Sequence, residues 1–114
     1  EEMENYFSKK IELAKSFGIN EIIIDPGFGF AKTTEQNFDI LKNLTSFKKL
    51  DKPLLVGVSR KSMIYKTLNI SPIDSLNGST VLHTISLLKG ANIIRTHDVK
   101  EANECIRLVN ELKA

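Results

Sequence analysis

The sequence is poor in the residues that mark several classes of protein. It has a single cysteine, Cys105, and no tryptophan. One thiol cannot form an internal disulfide, which excludes the disulfide-stapled secreted folds and favours a reducing, cytoplasmic setting. No apolar run approaches the roughly 20 residues that a membrane-spanning helix requires, so we expect no membrane partner.

An excess of charge of one sign is also lacking. The 16 Lys and Arg residues are balanced by 14 Asp and Glu residues, and no run of basic residues is longer than a pair. Nucleic acids and anionic membrane surfaces are bound by dense basic patches, so neither partner is expected. The composition, 41% hydrophobic and 26% charged, is typical of a packed globular domain.

What the sequence does contain is one pattern used three times, an apolar run that ends in a polar cluster. The three segments are EIIIDPGFGF at 21–30, PLLVGVSRKS at 53–62 and ANIIRTHDV at 91–99. A continuous apolar run is typical of a parallel strand buried on both faces. Because the carboxyl ends of parallel strands meet at one edge, where α/β folds place their ligands, the three clusters predict one polar site.

Helical patterns fill the first intervals between these runs. Apolar residues recur at helical spacing over 3–17, and Gly18 follows as a left-handed cap. Thr33 and Gln36 form the capping-box pattern that opens a second helix.

The second half of the chain continues in the same way. A short helical turn is expected at 62–68, and Ser71 and Pro72 fit the N-cap and first position of a long helix that ends before Gly90. Asp98 is the predicted N-cap of the last helix.

This order, one helix and then three strand-helix units, predicts an α/β fold with three parallel strands, flanking helices and right-handed crossovers. Three strands alone would leave two open edges. A complete (β/α)8 barrel takes about 250 residues. The 114 residues, which start at Glu1 without an initiator Met, are therefore expected to be a slice of a larger fold.

The first polar cluster centres on Asp25, which ends an apolar run and precedes Pro26, Gly27 and Gly29. A carboxylate at the end of a buried strand needs donors or water, so Asp25 is a candidate ligand-binding residue. Asp before Pro is also ordinary in a turn, and both interpretations stay open. Phe30 is either an aromatic wall for a flat ligand or a core residue.

The second cluster places Ser59, Arg60, Lys61 and Ser62 directly after a buried run. Side-chain direction alternates along an extended chain. Ser59 and Lys61 are therefore predicted to face the site, and Arg60 to face away toward a structural ion pair. A solvated basic turn is the alternative.

The third cluster, Arg95 and His97, has the same alternation of two, which places a guanidinium and an imidazole on one side. Arg binds phosphate bidentately and His adds a donor, so the pair predicts a clamp for phosphate or diphosphate. His83 lies within a helical pattern, where a packed or surface histidine is expected rather than a ligand.

Together, the segments DPGFGFAK, LLVGVSRKS and IIRTHDV closely resemble the last three strand ends of bacterial dihydropteroate synthase. The resemblance implies the C-terminal portion of a (β/α)8 TIM barrel, with residues 1–114 as a partial pterin-binding domain of three strand-helix units preceded by one helix. The implied activity is the transferase step of folate biosynthesis that condenses 6-hydroxymethyl-7,8-dihydropterin diphosphate with p-aminobenzoate. Diphosphate is released, and sulfonamides block this step.

The resemblance also implies roles for individual residues. The six substrate-binding positions are Asp25 and Lys61 for the pterin, Phe30 and Ser59 for p-aminobenzoate, and Arg95 and His97 for the diphosphate. No residue is assigned a catalytic role. Mg2+ is expected as a cofactor whose protein ligand lies outside this chain, so no metal ligand is assigned here. The parent protein is expected to be a homodimer.

Two other functions stay open. A pterin-binding methyltransferase module shares the barrel and the pterin-binding carboxylate, but it passes a methyl group to a corrinoid partner. SRKS and RTHDV argue against that module, because its chemistry has no diphosphate to hold. The other function is a non-catalytic fragment that associates through its strand edges. Since the family's first strand and early loops are absent, we expect this chain alone to be inactive.

Overall fold

The computed structural model describes residues 2–29 and 31–113. Phe30, a predicted p-aminobenzoate contact, therefore lies outside the described residues. The helices and strands are α1 (Glu2–Ser16), α2 (Thr34–Lys42), β1 (Leu55–Val56), α3 (Ser62–Leu68), α4 (Leu76–Leu88), β2 (Ile93–Ile94) and α5 (Val99–Lys113), with 3-10 helices at Leu44–Leu50 and Pro72–Asp74. No helix within the described part of the chain is both long enough and apolar enough to cross a membrane.

The sheet is parallel, but among the described residues only two of the three predicted strands form. Strand β1 pairs with β2, with Leu55 opposite Ile93. The first apolar run lies beside β1 in the parallel direction, yet it contributes a single bridge, from Ile24 to Leu54. The run is only three residues long before Asp25 and Pro26, and Ile23 on it is 56% exposed. A short run with one open edge gains too few ladder hydrogen bonds to form a regular strand.

The core lies between these extended segments and the helices. Apolar residues from the extended segments and from the helices are almost completely buried, among them Ile24, Leu44, Leu54, Val56, Val58, Met63 and Ile64. Burial of each such side chain contributes about 1.5–3 kcal/mol. Core packing thus holds the apolar runs in place, and the polar residues that follow the runs lie at one rim.

Two of the predicted helix signals are confirmed. Thr33 and Gln36 form both bonds of the capping box: the Gln36 amide donates to Thr33 Oγ1 at 3.1 Å, and the Thr33 amide donates to Gln36 Oε1 at 2.8 Å. Gly18 follows α1 with φ of 81°, as expected for a left-handed cap.

The prediction of one long helix from Ser71 is wrong. Residues Pro72–Asp74 form a separate 3-10 turn, and α4 begins at Leu76. The Ser71 hydroxyl donates to the Asp74 carboxylate at 2.9 Å instead of capping a backbone amide. Ser75 interrupts the helix because its hydroxyl donates to the Pro72 carbonyl at 2.6 Å, which closes the turn on itself.

Candidate functional site

The polar ends of the three apolar runs come together at one rim, as the sequence pattern predicts. Three hydrogen bonds connect them. Arg95 Nη2 donates to Asp25 Oδ2 at 3.1 Å, and Lys61 Nζ donates to the Phe28 carbonyl at 2.6 Å. His97 Nδ1 lies 2.9 Å from Ser59 Oγ. Each of the three segments is therefore tied to both of the others.

Asp25 forms the turn that one interpretation of its sequence position predicts, and its ligand-binding role stays a prediction. One carboxylate oxygen accepts the Gly27 amide at 2.9 Å, which makes the local turn. The other oxygen pairs with Arg95. Both side chains of this ion pair are open to solvent, Asp25 at 37% and Arg95 at 64%. A ligand can therefore reach the carboxylate without any rearrangement of the core.

Lys61 occupies the N-cap position of α3 and reaches back over the first loop. Burial lowers the pKa of its ammonium below the usual range, an effect opposed by the charge of Asp25 and supported by Arg95 and Lys32. A partly desolvated ammonium interacts strongly with a polar group that approaches it. Lys61 thus presents a partly desolvated ammonium close to Asp25, and its role toward a ligand stays a prediction.

Asn37 is a residue of the site that sequence reasoning missed. It lies on α2, is 1% exposed, and its Oδ1 accepts the Gly29 amide at 2.9 Å. Gly29 has φ of 107°, and a Cβ there would lie 3.2 Å from the Lys61 side chain. Asn37 therefore holds the loop that carries the Phe28 carbonyl against Lys61. The only sequence signal for this role was weak: Asn37 has a low helix propensity but lies within the first turn of α2.

Ser59 is buried at 4% exposure and faces the third segment. Its hydroxyl accepts the His97 amide at 3.1 Å and shares a hydrogen bond with the imidazole Nδ1. The Thr96 hydroxyl lies 3.4 Å away. These contacts fix the orientation of the exposed His97 ring and leave Nε2 outside the bond to Ser59. The predicted p-aminobenzoate role of Ser59 stays a prediction.

Arg60 points away from Lys61, as the alternation predicts, and forms an ion pair. Its Nε and Nη2 donate to the two carboxylate oxygens of Asp98, both at 2.9 Å. The Arg60 guanidinium lowers the pKa of Asp98 below its usual range. Asp98 does lie immediately before α5, as expected of a cap, but the carboxylate's partner is this arginine, which sequence reasoning did not identify.

An open pocket of about 510 Å3 adjoins Lys61 and is lined in part by Lys32, Ser62 and Tyr65. Its volume is in the range of small-molecule sites. A second pocket of about 520 Å3, lined by Lys48 and Lys113 among others, lies near the start of the strands and away from this rim. The first pocket therefore adjoins the candidate site at Lys61, although Asp25, Arg95 and His97 are not part of its lining.

The rim does not form a metal centre within the part of the chain that the structure describes. No group of three or more His, Cys, Asp or Glu side chains there is arranged to hold a metal ion. The buried His83 on α4 is 2% exposed, which agrees with the expectation of a packed histidine.

Comparison with known proteins gives one consistent family. The family described as pterin binding enzyme matches residues 1–97. The dihydropteroate synthase of Escherichia coli is 44% identical over 110 residues, which cover 95% of this chain and 39% of that enzyme. The chain thus spans about two fifths of this relative's length.

Solved structures agree with this result. A crystal structure of the dihydropteroate synthase of Yersinia pestis has a TM-score of 0.93 at 38% identity, and the match covers 98% of this chain and 54% of that one. A dihydropteroate synthase from Coxiella burnetii in complex with pteroic acid has a TM-score of 0.88 at 42% identity, covering 92% and 40%. The described chain shares the fold of the corresponding part of these enzymes, which supports the expected TIM-barrel origin.

Proposed function

We propose, from the premise that this chain belongs to the pterin-binding enzyme family, that the whole protein is a dihydropteroate synthase. The single observation that carries the proposal is the meeting of Asp25, Lys61 and Arg95 at one rim. A carboxylate beside two cations matches a ligand that has N-H donors at one end and an anionic leaving group at the other. The pteroic acid in the similar Coxiella burnetii enzyme is a ligand of the chemistry we propose.

The pterin end of the substrate binds between Asp25 and Lys61 in this proposal. The Asp25 carboxylate accepts hydrogen bonds from the pterin amino and ring N-H groups, and the Lys61 ammonium donates to the pterin carbonyl and ring nitrogen. Ionised donors and acceptors make stronger hydrogen bonds than neutral ones. Pterin N-H groups would take the place that Arg95 now occupies on one Asp25 oxygen.

The diphosphate end binds to Arg95 and His97. Arg95 is 64% exposed, so its guanidinium can turn from Asp25 toward phosphate oxygens, which it binds bidentately. The ring orientation of His97 is set by Ser59. The Arg95 cation, with His97 as a further hydrogen-bond donor, stabilises the charge that develops on the leaving diphosphate.

The reaction then follows from the substrate's chemistry. The p-aminobenzoate nitrogen attacks the pterin methylene carbon, a C–N bond forms, and the C–O bond to diphosphate breaks. The diphosphate leaves with the bonding electron pair, and the amine loses a proton. In this proposal p-aminobenzoate lies beside Ser59 and Phe30, and none of the six substrate-binding residues is assigned as a catalytic acid or base.

Three further expectations remain part of the proposal. The described residues do not fit a metal site, and we propose that any Mg2+ ligand lies in another part of the protein. The protein works in the cytoplasm as a homodimer. Because the chain spans about two fifths of its Escherichia coli relative, we expect it to have negligible turnover by itself.

The proposal is tested with the full-length protein that contains this chain. Incubation with 6-hydroxymethyl-7,8-dihydropterin diphosphate and p-aminobenzoate should yield dihydropteroate and one diphosphate for each product formed. Absence of product from a folded full-length protein would overturn the activity. Product formation by the 114-residue chain alone would contradict only the expectation that the chain is incomplete.

A matched pair of variants then tests the site. Asp25→Asn should lower kcat/KM by at least about tenfold, since a charged hydrogen bond contributes about 1.5–3 kcal/mol. Glu21→Gln removes the same charge at the exposed start of the same apolar run and should leave kcat/KM unchanged. Equal activities of the two variants would refute the role of Asp25.

A further inference from the structure

Arg60 has an unusual backbone conformation for its residue type. Its φ is 52°, in the left-handed region, which a non-glycine residue occupies at a cost in free energy. Its amide donates to Ser79 Oγ at 2.8 Å, and Ser79 is 1% exposed on α4. Ser79 also donates to the Ser75 carbonyl at 3.0 Å. A hydrogen bond to a buried serine on α4 therefore stabilises the backbone conformation of Arg60.

All three guanidinium nitrogens of Arg60 are engaged. Nε and Nη2 bind the Asp98 carboxylate, and Nη1 donates to the Ile73 carbonyl at 2.7 Å and approaches the Pro72 carbonyl at 3.3 Å. The side chains of the ion pair are only 23% and 16% exposed. Arg60 thus connects the segment that follows β1 with the turn before α4 and with the start of α5.

The position of this contact in the chain links it to the site. Arg60 lies between Ser59 and Lys61, and Asp98 follows His97. Two adjacent contacts therefore cross between the same two segments: Ser59 binds His97, and Arg60 binds Asp98. The first contact joins two predicted site residues, and the second joins the residues next to them in the sequence.

We propose that Arg60 is a positioning residue for the anion side of the site. By holding Asp98, Arg60 fixes the backbone of His97 against Ser59, so that the imidazole is in place before diphosphate arrives. The left-handed backbone of Arg60 has a separate effect, because it directs Lys61 toward the first loop. The inference rests on the proposed function for the identity of the anion.

The two effects can be separated with substitutions. Arg60→Gly removes the guanidinium but adopts a positive φ at no steric cost, so Lys61 should keep its position. Arg60→Lys keeps a charge but cannot form the bidentate contact, and should restore only part of the loss. Glu4→Gln is the matched control, because it removes an ion pair of Glu4 with Lys49 (2.7 Å) far from the rim.

The experiment uses the full-length protein and isothermal titration calorimetry with two separate probes, inorganic diphosphate and 6-hydroxymethylpterin. We expect Arg60→Gly to weaken diphosphate binding by about tenfold, because part of the binding free energy is then spent on ordering His97, while pterin affinity changes by less than about threefold. Glu4→Gln should change neither affinity. Circular dichroism verifies that each variant is folded.

The same substitution made in a His97→Ala protein tests whether Arg60 acts through His97. If it does, Arg60→Gly should have little further effect on diphosphate affinity in a His97→Ala protein, because the two losses share one cause. Additive losses would overturn the inference, and so would unchanged diphosphate binding by Arg60→Gly. In both cases the proposed function stands as long as His97→Ala itself weakens diphosphate binding. If His97→Ala has no effect, the diphosphate role proposed for His97 fails, and this inference fails with it.

Discussion

Replacement of Asn37 tests how the first loop is held at the site. Asn37→Ala removes the oxygen that accepts the Gly29 amide at 2.9 Å and leaves that amide without its partner. A buried donor that loses its acceptor costs about 1–3 kcal/mol. Alanine recovers up to about 0.7 kcal/mol of helix propensity on α2. We therefore expect a net loss of about 1–2 kcal/mol in the free energy of unfolding.

The same substitution, Asn37→Ala, should also weaken pterin binding. The Gly29 loop carries the Phe28 carbonyl that accepts from Lys61 at 2.6 Å, so a looser loop leaves Lys61 less well placed. Pterin binding should weaken by a few-fold, because part of the binding free energy is then spent on ordering the loop. Diphosphate affinity should change less than pterin affinity, since Arg95 binds Asp25 at the start of this loop and Asn37 holds Gly29 at its other end.

The assays are urea unfolding followed by circular dichroism, and pterin titration followed by fluorescence. Asn43→Ala is the control, because it makes the same chemical change at an exposed position at the end of α2. Its effect on stability should stay within about 0.5 kcal/mol. If Asn37→Ala behaves like Asn43→Ala in both assays, Asn37 does not hold the loop.

Three other outcomes are expected. Below about pH 6.5 stability should fall with pH by up to about 1.4 kcal/mol per pH unit. Burial lowers the pKa of His83, an effect partly offset by Asp98, so the unfolded chain binds a proton at a higher pH than the folded chain does. His83→Leu should remove this slope in pH-dependent unfolding, and an unchanged slope would contradict the assignment. Gly78→Ala should destabilise by about 1–3 kcal/mol, since its Cβ would overlap Ile64; a gain in thermal stability would refute the crowding. Arg95→Gln should weaken diphosphate binding at least about tenfold without weakening pterin binding, and calorimetry showing equal losses for both ligands would argue against separate subsites.

The sequence alone predicted the parts of the fold that depend on local chemistry. Helix α1, its Gly18 cap and the Thr33 capping box follow from residue spacing and hydrogen-bonding capacity. The convergence of the three polar clusters follows from the geometry of parallel strands. The helix and cap signals need no knowledge of distant contacts, and the convergence was accessible because the carboxyl ends of parallel strands generally meet at one edge.

The features that were missed depend on tertiary packing. The break at Ser75 arises because a serine hydroxyl prefers the Pro72 carbonyl, and no helical spacing rule detects that choice. The role of Asn37 depends on a loop eight residues earlier in the chain. The Asp98 partner of Arg60 lies 38 residues away. The first apolar run looked like a full strand because its open edge is invisible in the sequence.

The most direct test of the account is a titration of the full-length protein with a pterin diphosphate analogue, followed by quenching of pterin fluorescence and repeated with Asp25→Asn. The account predicts saturable binding by the parent protein and at least about tenfold weaker binding by the variant, with an unchanged circular-dichroism spectrum. Equal binding by the two folded proteins would contradict the claim that the rim around Asp25 is the pterin site.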